Sequence, residues 1–321
     1  MENFIFSLNA TIPVFAIIVV GNILRKIGII DLNFSNIANK FVFKVCLPCL
    51  LFQDLVSTNI RENFDTKYVG FCFFATLISI VVIWFLARKL LPDKSEVGAF
   101  VQCSYRSSAA ILGVAFIQNI YGTSGMAPVM IVGSVPLYNI FAVTILIIES
   151  NDANTRGSKG DFAGTLKKSL IGIAKNPIIL GIAAGLIGSF LNLKLPHMID
   201  KSISNLAVMA SPLALISIGA SFEGRRALAK VKPTMVASAI KLVVLAAIFL
   251  PIAVMCGFRD QKLIAIIIML ASPCTPTAYI MAKNMHGDDT LAASIIVVTT
   301  FFSSITMTAW IYIMKALSLI Q

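Results

Sequence analysis

The chain has 321 residues, 58% of them hydrophobic and only 13% charged, with a formal charge of +11 and a mean hydropathy of +0.89. Soluble domains carry roughly 25% charged residues, so the composition excludes an ordinary soluble protein and predicts an all-α polytopic membrane protein with no separate soluble domain. In such a chain the basic excess sets topology, which removes nucleic acid as a partner and leaves the lipid bilayer.

Glu2 stands where a signal peptide would be basic, and no small-residue cleavage site follows, so 4–24 is expected to be a retained first span. Four more spans are predicted near 36–56, 68–87, 97–120 and 127–148. After a polar loop come 170–191, 199–221, 234–256, 263–283 and 290–314. Each is long enough for a hydrocarbon core of about 30 Å. One set of alternate loops holds sixteen Lys and Arg residues and the other holds seven. The richer set belongs in the cytoplasm, which puts both termini outside.

The two halves resemble each other. Pro13, Gly21, Pro48 and Ser57 are matched at one offset of 164 residues by Pro177, Gly185, Pro212 and Ser221. Five spans is an odd number, so the second copy enters the membrane upside down, as an inverted repeat. The expected organisation is a first repeat over 1–149, a cytoplasmic linker over 150–169 and a second repeat over 170–321.

Span 9 is interrupted. Nine apolar residues ending at Ala271 give way to Ser272-Pro273-Cys274-Thr275-Pro276-Thr277. Two prolines three apart remove backbone donors and clash with earlier carbonyls, and the freed groups need partners in protein or a water-filled cavity. Its partner in the repeat, span 4, is interrupted at Arg106-Ser107-Ser108, before Gly113. Paired broken spans point to a substrate site at mid-membrane.

The polar residues narrow the chemistry. All fifteen acids fall in loops or at span ends, Asp54 and Glu149 being nearest the middle. Without a buried carboxylate, neither a cationic substrate nor a carboxylate-based antiporter is expected. Arg106 lies about 13 Å along span 4 and pairs bidentately with carboxylates; it can serve an anionic substrate or bond a neighbouring carbonyl. Lys241 and Lys44 are expected to snorkel to the cytoplasmic edge.

Ser107, Ser108, Thr275 and Thr277 can supply hydroxyls beside the breaks, or bond carbonyls in their own helices. Gln53, Gln102, Gln118 and Asn139 suit interhelical bonds better than ligand contact, with Gln53 and Asn139 retained as supporting residues. Cys46 and Cys49 have C-x-x-C spacing but lie in an apolar span, which favours packing over redox chemistry. His197 and His286 have no metal-ligand partners, and the sequence carries no nucleophile elbow or phosphate loop. No catalytic residue, metal or cofactor is expected, and the chain is not read as an enzyme.

Three segments carry a family resemblance. Pro48-Cys49-Leu50-Leu51-Phe52 resembles the Pro-x-Leu-x-Phe segment of the auxin efflux carriers, the bacterial relatives of the plant PIN-formed exporters. Arg106-Ser107-Ser108 through Gly113 resembles their Arg-x-Asn-x-x-x-x-Gly element in helix 4, and Ser272-Pro273 through Lys283 their proline-containing helix 9. Ser108 departs from the family's Asn, and Ala115 from a proline often found in helix 4.

The resemblance implies ten helices, with helices 4 and 9 crossing. Helices 1, 2, 6 and 7 would form a scaffold that pairs into a homodimer, and helices 3–5 and 8–10 a transport unit moving by an elevator shift. Together with the residues, this gives the expectation of a secondary carrier of a small organic anion in a bacterial inner membrane, the anion bound by Arg106, Ser107, Ser108, Gly113, Pro273, Thr275, Pro276 and Thr277. The rival readings are a sodium-coupled symporter of the bile-acid type, a receptor on a transporter fold and a membrane-embedded enzyme.

Overall fold

A computed structural model describes residues 2–56, 65–109, 117, 126–149, 175–191, 193, 195–221 and 229–320. Among them every regular element is helical. Helix α1 covers Glu2–Lys26. The second span, Leu32–Val56, is α2 (Leu32–Phe41), a π turn (Val42–Cys46) and α3 (Leu47–Val56). The third is α4, Thr66–Leu90, started by Asp65, whose side chain accepts from Tyr68 N. Span 4 contributes only α5, Val97–Tyr105, and span 5 is α6, Ala127–Glu149.

In the second half, Asn176 caps α7, Pro177–Phe190. Helices α8 (His197–Val208) and α9 (Ala210–Ser221) make one span, and α10 (Val231–Ala239), a π turn (Ile240–Val244) and α11 (Leu245–Met255) the next. Span 9 is split into α12, Asp260–Ala271, and α13, Thr277–Asn284, before α14, Asp289–Ala316.

Six helical stretches are long and apolar enough to cross a bilayer: Leu32–Val56, Thr66–Leu90, Ala127–Glu149, His197–Ser221, Val231–Met255 and Asp289–Ala316. Each begins and ends within a few residues of an expected span. Ten continuous helices are not what the described residues show. Spans 4 and 9 are interrupted, span 6 is described only from residue 175 on, and the expected linker lies outside the described residues, as do Gly113, Ala115, Gln118 and Ser57.

Large apolar side chains such as Phe74 and Phe85 are exposed along these helices. A contiguous apolar exterior suits lipid rather than water, and the chain is a multi-pass membrane protein.

Two groups of helices pack together and are joined through α1, which also lies on α14. Helix α1 lies on α9, and α3 on α7 and α8. Helices α4, α5 and α6 pack mutually, as α10, α12 and α14 do in part. In the first set, backbones approach through glycine, as lipid-embedded helices without a hydrophobic driving force must. A Cβ at Gly21 would collide with Ile216 O, and one at Gly185 would lie 3.0 Å from Phe52 O. These contacts are reciprocal: Gly21 and Gly185 are 164 residues apart, and so are Phe52 and Ile216.

Loops predicted on one side of the membrane also meet. Lys262 reaches Asp65 at 2.6 Å. At the other end Lys230 lies 2.6 Å from Glu96 and 3.0 Å from Asp288. Burial alone would lower the Lys230 pKa, but these two carboxylates outweigh it and raise the value above the ordinary lysine range.

Candidate functional site

Helix α12 ends at Ala271 because Ser272 turns extended (φ −72°, ψ 159°) ahead of Pro273, as residues preceding proline tend to. The chain stays irregular to Pro276 and re-enters a helix at Thr277. Helix α5 ends the same way without a proline: Arg106 turns extended (φ −67°, ψ 135°). The two interruptions touch, with Ser108 N–H donating to Pro273 O at 3.0 Å. Ser107 Oγ donates to Met269 O. The freed Cys274 N–H donates to Thr299 Oγ1 of α14 at 3.2 Å. These backbone groups at the two breaks are thus met inside protein.

Arg106 is 4% exposed. Its guanidinium donates to Asn139 Oδ1 at 2.7 Å and to Thr277 Oγ1 at 3.1 Å, and lies against the Met281 sulfur. All three acceptors are uncharged. Arg has five N–H donors, so these bonds leave capacity for a further acceptor. Asn139 is held by its own Nδ2, which donates to Val135 O at 2.9 Å, and Thr275 and Thr277 share a hydrogen bond of 3.1 Å.

Arg106, Ser107, Ser108, Asn139, Thr275 and Thr277 line one cavity of about 50 Å³, together with Tyr138, Asp54 and apolar residues of α3 and α6. That is room for a few waters. The N-terminus of α13 begins at this cavity without a side-chain cap, an arrangement that favours negative charge. A larger cavity of about 820 Å³ between α4, α10 and α11 is walled almost wholly by apolar residues. It lacks the convergent polar groups of a ligand site.

Six of the sequence-predicted residues therefore share one cavity, while Pro273 and Pro276 lie in the span 9 break without lining it and Gly113 is outside the described residues; three other expectations come out differently. Gln53 is half-buried and does not line the cavity; its neighbour Asp54 does, so the expectation of a site without a carboxylate fails. The helical phase decides this, because adjacent residues point about 100° apart. Lys241 does not snorkel: it is 0% exposed, and its ammonium donates to Ser107 Oγ at 2.5 Å, Leu270 O at 2.8 Å and Met269 O at 3.2 Å. Lys44 is exposed, as expected. Depth along span 8 alone does not reveal the role of Lys241; the break facing it does. Gln102 makes the interhelical bond expected of it, to Ala278 O at 3.1 Å.

The chain matches the family described as "Membrane transport protein" over residues 6–311. It is similar to an "Uncharacterized transporter" of Methanothermobacter thermautotrophicus, 19% identical over 310 residues, which cover 96% of this chain and 98% of the relative. A second "Uncharacterized transporter", from Methanocaldococcus jannaschii, is 22% identical over 317 residues, with 96% and 98% covered. A protein of Rhizobium meliloti named "Putative malonate transporter" is 23% identical over 316 residues, with 95% of each chain covered. A match along almost the whole length, on a chain of apolar helices, makes this protein a member of the membrane transport protein family, that of the auxin efflux carriers.

Proposed function

We propose that the protein is a secondary carrier of a small organic anion, a mono- or dicarboxylate, bound where spans 4 and 9 are interrupted. The observation that carries this reading is Arg106: a buried guanidinium whose hydrogen bonds go to neutral acceptors, at a cavity lined by hydroxyls, an amide and Asp54. Its remaining donors are free to take a ligand carboxylate. Arg106 would take the carboxylate bidentately, with Ser107, Ser108, Thr275 and Thr277 as polar contacts and Gly113, Pro273 and Pro276 shaping the backbone around it. The name of the Rhizobium relative points to the same class of ligand.

In this reading the ten spans form two inverted repeats of five, 1–149 and 170–321, whose broken helices cross. The reciprocal Gly21–Ile216 and Gly185–Phe52 contacts support the repeat, since a two-fold exchange of the halves turns one into the other. Spans 1, 2, 6 and 7 form a dimerising scaffold, and spans 3–5 and 8–10 the moving unit of an elevator. A cavity of about 50 Å³ is too small for a dicarboxylate, so loading requires the two units to shift. The membrane is a bacterial inner membrane and both termini lie outside.

Thermal unfolding of the purified carrier against a panel of carboxylates and amines tests the ligand class. Carboxylates should raise the melting temperature by mass action, and Arg106→Ala should abolish the shift. Stabilisation by amines instead, or an equal carboxylate shift in Arg106→Ala, would contradict the reading.

A further inference from the structure

The break in span 9 creates a second site beside the first. In an uninterrupted helix Met269 O would accept from residue 273 and Leu270 O from residue 274. Residue 273 is a proline without an N–H, and Cys274 N–H is turned to Thr299. Two carbonyls are thereby left at the C-terminal end of α12, where the helix dipole favours a cation. Beside them lies Ser107 Oγ, which bonds Met269 O. Carbonyls freed at a broken membrane helix are the groups that bind coupling cations in carriers of this general architecture.

Here a side chain already fills the place. Lys241 is carried by the π turn Ile240–Val244, a distortion frequent at functional positions. Its three ammonium donors meet the three oxygens: Ser107 Oγ, Met269 O and Leu270 O. No ion pair to Lys241 is found among the described residues. The titratable groups nearest to it are the Cys274 thiol, the Tyr138 hydroxyl, which donates to the same Met269 O at 3.2 Å, and Arg106, next to Ser107.

We propose that the Lys241 ammonium is a tethered cation occupying an oxygen site for a monovalent ion, which frees the carrier from sodium and fixes the two breaks together through Ser107. This inference rests on the carrier reading above, but not on the identity of its anion. Lys241 acts as a positioning residue: it touches the span 4 break through Ser107 and does not line the anion cavity.

The test uses the purified full chain with no anionic substrate added, so its failure is separate from that of the Arg106 site. Thermal unfolding is compared in sodium chloride, choline chloride and propylammonium chloride at equal ionic strength. Wild type should melt alike in all three. Lys241→Ala, which vacates the site, should melt at least about 2 °C higher in sodium or propylammonium than in choline. Lys241→Met, which refills the volume without charge, should respond to neither.

Stabilisation of the wild type specifically by sodium overturns the proposal, as does a folded Lys241→Ala indifferent to both cations. If Lys241→Ala fails to fold in choline, recovery in either other salt supports the site. Failure in all three salts counts against it.

Discussion

At the residue scale, the site sets Arg106 and Asp54 on one cavity, and an ionised Asp54 would repel a carboxylate ligand. Asp54→Asn should therefore tighten carboxylate binding several-fold, measured as a lower ligand concentration for half-maximal thermal shift. Arg106→Lys keeps the charge but loses the fork, and should weaken binding by about tenfold or more. Outside the membrane, the Lys262 ammonium and then Tyr68 N–H hold Asp65 below the ordinary carboxylate range. A carboxyl with a lowered folded value contributes stability above its unfolded pKa of about 4 and loses it as pH falls through the folded value. Melting temperature should thus fall in acid, and Asp65→Asn should remove part of that dependence, worth at most about 1 kcal/mol for so exposed a pair.

At the element scale, the two interruptions have different origins. The one in span 9 is written in Pro273 and Pro276 and is legible in the sequence. The one in span 4 contains no proline; it is held by Ser108 N–H on Pro273 O, by Ser107 on Met269 O and by Lys241 on Ser107. Sequence periodicity reports on a helix alone, so Arg106 and the serines hint at a break that only the neighbouring helix imposes. For the same reason the sequence misplaces Lys241: its position two turns into span 8 is clear, but the orphaned carbonyls it faces belong to another helix. Thr299 is the further support of the break. Thr299→Val keeps the shape and leaves Cys274 N–H unmet, which should cost about 1–3 kcal/mol of stability, read by chemical or thermal unfolding.

At the scale of the whole molecule, the membrane character of the chain and the limits of six spans are readable because lipid imposes a length rule on every segment. In the proposed repeat Gly21 is matched by Gly185, and the fold explains why glycine stands at both: each meets the backbone of a facing helix. Gly21→Leu and Gly185→Leu should each destabilise the protein by about 1–3 kcal/mol or more, as overpacking does. Gly70, where a Cβ meets nothing within 4 Å, should accept Ala without loss. Unequal effects at Gly21 and Gly185 would weaken the case for a two-fold relation between the halves.

The account stands or falls on whether the paired breaks form an anion site centred on Arg106. Its most direct measurement is exchange of labelled malonate across proteoliposomes containing the wild type or Arg106→Ala at equal incorporation. The account predicts saturable exchange by the wild type, competed by other small carboxylates and lost in Arg106→Ala; exchange undiminished by that substitution would contradict it.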